Sequence, residues 1–114
     1  MVTIDIKPAN DIPNLKIITV KGSIDAVTSK KVDEKVFPVI EQESHIIIDL
    51  SKVHYLSSIG MMFLINYLKF MTDNKRLLKF VKPPEHVYNS LETAGIANKL
   101  DMYNTIEAAI RSLR

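Results

Sequence analysis

The segment HIIIDLSKVHYLSSIGMMFLINYLKF, residues 45–70, decides the fold of this chain. Three consecutive isoleucines follow His45, and residues 44–50 form an apolar run typical of a strand covered on both faces of its sheet. A short polar turn is expected next, because hydroxyl and charged side chains replace the apolar ones. The segment therefore predicts a central strand that leads through a turn into a long helix.

Two serines stand at the predicted junction between this strand and the helix. The helix is expected to begin at Ile59 or Gly60, directly after Ser57 and Ser58. The first N–H groups of a helix have no intrahelical acceptor, and the helix dipole is positive at that end. At least one serine is therefore expected to cap the helix. A phosphate on the other would add about two negative charges and would oppose the docking of a partner there.

The predicted helix is apolar around most of its circumference. At about 100° per residue, one face and its flank collect nine apolar side chains: Met61, Leu64, Ile65, Leu68 and Met71, then Ile59, Phe63, Tyr67 and Phe70. So wide an arc fits packing between the sheet and a neighbouring helix. It equally fits contact of the part near Met61, Met62 and Phe63 with a partner protein.

Strands and helices alternate in the rest of the chain. Residues 2–7 and 15–21 are expected to form a hairpin across the turn at 8–14, with the second strand ending at Gly22-Ser23. Short strands are also expected at 77–81 and within 96–102. One α/β domain over residues 1–114 follows, with no linker or internal repeat.

Three further helices are predicted from capping residues and helical spacing. The first is capped by Thr28 or Ser29 and carries Val27 in its apolar stripe, and Pro38 should kink or end it. The second covers residues 85–94 and ends at Gly95. The last covers residues 106–113, with Asn104 or Thr105 as its cap and Arg111 and Arg114 near its end.

Composition narrows the possible functions. The 114 residues include 46% hydrophobic and 25% charged side chains, which are ordinary globular values. The net charge of +2 comes from dispersed lysines, which argues against a nucleic-acid partner. No cysteine is present, so disulfides and thiolate metal sites are excluded. No apolar run has the length of a membrane span, and the N-terminus lacks signal-peptide features. A small cytoplasmic domain is expected.

Catalytic and metal-binding patterns are weak. His45, His54 and His86 do not have a recognised metal-ligand spacing, and the three glycines form no phosphate-binding loop. A triad of Ser58, His54 and Asp49 is conceivable, but the G-x-S-x-G elbow is missing. A serine hydrolase is therefore a remote alternative.

Two motifs resemble those of a known family. The patterns V-K-G-x-I-D at Val20–Asp25 and I-I-I-D-L-S-x-V-x-Y-L-S-S-x-G at Ile46–Gly60 are similar to the STAS domain of bacterial anti-sigma factor antagonists. The resemblance covers nearly the whole chain. It implies a mixed β-sheet of about four to five strands covered on one side by about four helices. It also implies one phosphorylatable serine before the second helix, which by position is Ser58, with Ser57 as second choice.

The resemblance also implies partners. The unphosphorylated protein would bind an anti-sigma factor or serine kinase with a GHKL-type ATP site, phosphorylation would release it, and a PP2C-type phosphatase would restore binding. By this resemblance it would be a substrate and binding module rather than an enzyme. Composition and spacing add that no cofactor, metal, nucleic acid or membrane is expected, and the chain is expected to be a monomer or a weak homodimer. The expected partner-binding residues are Asp25, Ser57, Ser58, Ile59, Gly60, Met61, Met62 and Phe63. A scaffold without phosphorylation and a ligand-binding module of a transport system are the alternatives.

Overall fold

The computed structural model describes residues 2–9 and 12–113. Its strands, which carry β-branched and aromatic side chains, form a mixed sheet. The five strands found there lie side by side in chain order. Their bounds are β1 Val2–Pro8, β2 Leu15–Ile24, β3 His45–Leu56, β4 Leu78–Val81 and β5 Met102–Tyr103. β1 and β2 form the predicted antiparallel hairpin, and the other neighbouring strands are parallel.

Four α-helices connect or follow the strands in the described part of the chain. Their bounds are α1 Ser29–Ile40, α2 Ser58–Asp73, α3 Glu85–Thr93 and α4 Ile106–Ser112. A 3-10 turn, Ala97–Lys99, stands between α3 and β5. The hydroxyl of Thr105 caps α4 by accepting from the Ala108 N–H over 3.0 Å. The predicted class, an α/β fold with one mixed sheet, is confirmed.

The central strand β3 is buried on both faces, as its sequence predicts. Its side chains alternate, so Ile46 and Ile48 pack into the larger core beneath α1, α2 and α3. Ile47 points the opposite way into a smaller core with Ala109 of α4. The expectation of helices on one side therefore needs a correction, because α4 covers part of the other face.

Both central strands are longer than expected. β2 continues through Gly22 to Ile24, and β3 continues to Leu56 through the residues expected to form a polar turn. The extensions pair with each other, since Ile24 lies opposite Leu56. Burial of Val53 and Leu56 anchors this part, and two register shifts absorb its irregular pattern. Tertiary pairing thus overrides the polar local sequence.

The helix boundaries also differ in detail. α1 continues past Pro38 to Ile40, because Val39 and Ile40 are buried against the core while Pro38 is exposed. α2 begins at Ser58, one residue earlier than expected. Three predicted positions, Asn10 and Asp11 in the first turn and Arg114 after the last helix, lie outside the described residues.

Candidate functional site

The carboxyl ends of β2 and β3 position the two serines. The last residue pair of these strands is Ile24 with Leu56. The Ser57 N–H then donates to the Ile24 carbonyl over 2.9 Å, which ties the serine pair to β2. Ser57 has an extended backbone, with φ −77° and ψ 170°, and α2 begins at the next residue. The serines therefore stand on a junction fixed by two strands and a helix.

Ser57 and Ser58 have different local roles. The Ser57 Oγ accepts the Gly60 N–H over 3.1 Å, and the Ser57 carbonyl accepts the Met61 N–H over 2.9 Å. Ser57 is thus the helix cap and is half-buried. Ser58 takes no part in this cap and is exposed as the first residue of α2. Ser58 is therefore the more accessible of the two serines.

Asp25 follows β2 and organises the turn that leads into α1. Its Oδ1 accepts the N–H groups of Val27 over 2.9 Å and Thr28 over 3.0 Å. The hydrogen bond from the Thr28 N–H, followed by those from the Thr28 hydroxyl and the Val27 N–H, holds the pKa of Asp25 below its usual range. The carboxylate therefore stabilises a turn that directly follows Ile24, the residue whose carbonyl accepts the Ser57 N–H.

Thr28 does not cap α1 through its side chain, although it occupies the N-cap position. Its hydroxyl donates to the Ser23 carbonyl over 2.6 Å and accepts the Asp25 N–H over 3.0 Å. The predicted capping role is replaced by a contact that closes the turn. This turn leaves Val27 outside the helix and 86% exposed, so Val27 is not part of the apolar stripe of α1.

Exposed apolar side chains gather around the junction. The described residues include seven large hydrophobic side chains that are exposed, and four of them lie on the segments that meet at the Ile24–Leu56 pair. Besides Val27 they are Tyr55, Ile59 and Met62, which are 54%, 44% and 64% exposed. Together with Ser58, these four residues are called the junction surface below. A group of exposed apolar side chains is typical of a protein-binding site.

The structure separates the predicted partner-binding residues into exposed and buried groups. Ser58, Ile59 and Met62 are exposed, whereas Gly60 and Met61 are buried beneath them. Phe63 is half-buried and packs on Tyr67, with ring centroids 6.2 Å apart. Gly60 and Met61 therefore support the junction surface from below.

Tyr55 and Val27 belong to the junction surface although the sequence did not single them out. Tyr55 stands in the quoted motif between buried Val53 and Leu56, where two exposed residues interrupt strict alternation. The sequence alone does not predict this irregular burial, because it follows from the bulged pairing of β3 with β2. The turn built by Asp25 likewise determines the exposure of Val27.

A cleft of about 290 Å³ opens beside Ser58, between α2 and the segment after α3. Its walls are mostly apolar and come from Met61, Met62 and Ile65 on one side and from Ala94 and Ile96 on the other. Lys99 and Asn66 supply polar groups. A second, more open groove also reaches Ser58 and runs along Tyr55 and α3.

The electrostatic setting of Ser58 suits an anion. The first turn of α2 contains no acidic side chain, and its N–H groups are oriented towards the helix start. No aspartate or glutamate lines either opening at Ser58. A phosphate on the Ser58 hydroxyl would therefore meet the positive end of the helix dipole without a neighbouring carboxylate in the described lining.

Catalysis by a serine triad finds no support in this geometry. The Asp49 carboxylate accepts the Ser51 N–H over 2.9 Å and lies 3.9 Å from the Lys82 ammonium. The His54 carbonyl contacts the His86 ring over 2.7 Å. Within the described residues, no hydrogen bond links Ser58 to His54 or His54 to Asp49, as a triad requires.

Two further features concern metals and membranes. Across residues 2–9 and 12–113, no three histidine or acidic side chains are grouped as a metal site would need. Over the same residues, no helix has both the length and the apolar character needed to cross a bilayer.

Comparison with known proteins places the chain in a family. The family model of the STAS domain matches residues 6–109. The chain belongs to the STAS domain family. No curated protein matches it at a significant level.

Solved structures share this STAS fold at low sequence identity. A putative anti-sigma factor antagonist from Thermotoga maritima is 19% identical, with a TM-score of 0.85 over 96% of this chain and 92% of that one. The unphosphorylated form of the Bacillus anti-sigma factor antagonist SpoIIAA is 16% identical, with a TM-score of 0.77 over 98% and 96%. The mouse anion transporter Slc26a9 is 20% identical, with a TM-score of 0.77 over 90% of this chain and 18% of the transporter.

Proposed function

We propose that this STAS domain is an anti-sigma factor antagonist whose binding to an anti-sigma factor with serine kinase activity is switched off by phosphorylation of Ser58. The observation that carries the proposal is the division of roles at the junction. Ser57 is held in the helix cap, whereas Ser58 presents an exposed hydroxyl within the junction surface. The accessible hydroxyl and the apolar contact area therefore coincide.

The same surface explains how a phosphate could control binding. In the unphosphorylated state, Tyr55, Ile59 and Met62 can lose their solvent-exposed area against a partner. During phosphorylation the Ser58 Oγ loses its proton and forms a bond to the γ-phosphorus of ATP, and ADP leaves. The product carries about two negative charges at pH 7 beside these apolar side chains. Burying this dianion in a complex would cost several kcal/mol even beside a single cation, because about one negative charge stays uncompensated, so the complex would dissociate.

Relatives lend support to this role. SpoIIAA, whose fold this chain shares, has been solved in unphosphorylated and phosphorylated forms. We extend the switch to Ser58 because of its position at the start of α2 and its exposure. The kinase would carry a GHKL-type ATP site, and a PP2C-type phosphatase would return the protein to its binding state. In this scheme the STAS domain is the phosphoryl acceptor, and the partner performs the catalysis.

Phosphate mapping tests the proposal directly. The purified protein is incubated with its cognate kinase and ATP, and the modified residue is located by mass spectrometry in the wild type, Ser57→Ala and Ser58→Ala. One phosphate on Ser58 is expected in the wild type and in Ser57→Ala, and none in Ser58→Ala. Unmodified wild-type protein, or full phosphorylation of Ser58→Ala, would show the assignment to be wrong.

A ligand-binding module is the second candidate, and the apolar cleft favours it. The cleft beside Ser58 has about 290 Å³ of space and a single charged residue in its lining, Lys99. STAS domains also occur in transporters, as the match to Slc26a9 illustrates. In that case a small ligand would bind wild-type protein but not a variant with Ile65→Trp filling the cleft.

A further inference from the structure

Lys99 has an unusual position relative to Ser58. Both residues line the same cleft, one at the start of α2 and the other at the end of the 3-10 turn after α3. Among the residues that line the two openings at Ser58, only Lys99 and Tyr55 carry titratable side chains. Lys99 is thus the one cationic side chain among the residues that line these two openings.

The Lys99 ammonium is also available for a new contact. Lys99 is exposed, and the two ion pairs in the described part of the chain involve Lys79 and Lys82 instead. No carboxylate in the cleft lining competes for it. Its flexible four-carbon stem lets the ammonium move across an open cleft towards a charge at the rim.

We propose that Lys99 is the internal counter-ion of the phosphate on Ser58 and binds it across the mouth of the cleft. The phosphate oxygens accept a charge-assisted hydrogen bond from the ammonium, and the helix N-terminus supports them from the other side. This contact ties α2 to the segment after α3 only in the phosphorylated protein. The inference rests on the proposed function, because that function supplies the phosphate.

The contact also changes the surface that a partner would meet. The bridge between residue 58 and Lys99 would lie over the apolar walls formed by Met61, Met62 and Ile96. A partner side chain that enters the cleft in the unphosphorylated state would then meet a closed and charged mouth. Phosphorylation would thus act by covering the cleft as well as by adding charge.

The test places phosphoserine at position 58 during translation, so that no kinase is needed. The second ionisation of the phosphate is followed by ³¹P NMR as a function of pH in the wild-type background, Lys99→Met and Lys99→Arg. Lys7→Met is the matched control, because Lys7 is also exposed but lies far from the junction. It pairs with Ile17 of β2, near the other end of the sheet. Seven residues of strand, roughly 23 Å, separate Ile17 from Ile24 at the junction.

Pairing with a cation favours the dianion and lowers the pKa of the phosphate. At a separation of about 5 Å in water-like surroundings, one charge accounts for roughly half a pKa unit. The midpoint in Lys99→Met should therefore rise by about that amount, while Lys99→Arg and Lys7→Met should titrate like the wild-type background. Circular dichroism confirms that each variant is folded.

Equal midpoints in the wild-type background and Lys99→Met, or an equal rise in Lys7→Met, would overturn the inference. Because the phosphate is installed without a kinase, this outcome leaves the proposed switch standing. Conversely, absence of kinase-dependent phosphorylation would refute the switch while the Lys99 contact could still be measured.

Discussion

Gly60 packs so closely on Ile24 that a methyl group on Gly60 would stand 2.9 Å from the Ile24 carbonyl oxygen. The same methyl group would stand 2.7 Å from the Leu56 Cδ1. The Ile24 carbonyl cannot move away easily, because it accepts the Ser57 N–H. The missing side chain at Gly60 therefore allows the first turn of α2 to rest directly on β2 and β3.

We expect Gly60→Ala to destabilise the protein. Inside a helix, alanine is more favourable than glycine by about 1 kcal/mol of folding free energy. Overpacking against a backbone oxygen, however, costs about 1–3 kcal/mol. Urea unfolding should show a net loss of stability, with Ser58→Ala within about 0.5 kcal/mol of the wild type as the control. A more stable Gly60→Ala protein would contradict this prediction, because it would mean that Ile24 and Leu56 can move away from the added methyl group at little cost.

The two serines should respond differently to substitution. Ser57→Ala removes the acceptor for the Gly60 N–H and should lower the free energy of unfolding by about 1 kcal/mol. Ser57→Asp keeps a capping oxygen and should retain most of the stability. Both values come from urea unfolding at pH 7. Equal losses of unfolding free energy in Ser57→Ala and Ser58→Ala would contradict the assignment of the capping role to Ser57 alone.

Ser58→Asp should weaken partner binding without weakening the fold. A carboxylate in the first turn of a helix interacts favourably with the dipole, by about 0.3–1 kcal/mol. The same charge beside Ile59 and Met62 opposes burial of these side chains in a complex. Isothermal titration calorimetry with the anti-sigma factor that the proposed function requires should show affinity reduced by about tenfold or more. Ser58→Asn, which is similar in size and uncharged, is the matched control and should bind more tightly than Ser58→Asp.

Local signals in the sequence were sufficient to predict most of the fold. Three consecutive isoleucines predicted a strand buried on both faces, and Ile46 and Ile47 indeed point into two different cores. The two serines before an apolar helical pattern predicted the α2 N-terminus to within one residue. The family resemblance predicted that the sheet is mixed, which hydrophobic periodicity alone does not specify.

The remaining features depend on contacts between distant segments. The polar residues before Ser57 belong to β3 because they pair with the end of β2, and no local pattern indicates this. α4 covers the second face of the sheet through Ala109, which the pattern of a short amphipathic helix does not specify. Lys99 lies 41 positions after Ser58 in the sequence, so only the folded chain reveals their common cleft.

The junction surface should be distinguishable from other exposed apolar positions. Met62→Ala and Tyr55→Ala remove exposed side chains beside Ser58, so partner affinity should fall while stability changes by no more than about 0.5 kcal/mol. Leu77→Ala is the control, because Leu77 is 43% exposed and lies immediately before β4, at the end opposite the junction. Binding is measured as for Ser58→Asp. Loss of affinity in Leu77→Ala alone would move the interface to the other end of the sheet.

The hydrogen bond between α1 and α2 should make stability depend on pH in alkaline solution. The Tyr67 phenol donates to Asp33 Oδ1 over 2.7 Å. Burial, followed by the hydrogen bond and negative charge of Asp33, raises the pKa of Tyr67 above its ordinary value of 10.0. The unfolded chain therefore ionises at a lower pH than the folded one. The stabilisation is complete below about pH 10 and is lost as the pH rises from there towards the folded pKa.

Tyr67→Phe removes this contribution and separates it from all other titrations. At pH 8 the variant should be less stable by roughly 1–3 kcal/mol, because a hydrogen bond to a charged group is lost. Above pH 10 the wild type loses the stabilisation that the variant lacks, so the difference between them should narrow. Urea unfolding of both proteins at pH 8 and at pH 10.5–11 measures the two differences, and the other ionising groups cancel in the comparison. A difference that is constant or widens with pH would show that the Tyr67 phenol does not stay protonated in the folded state.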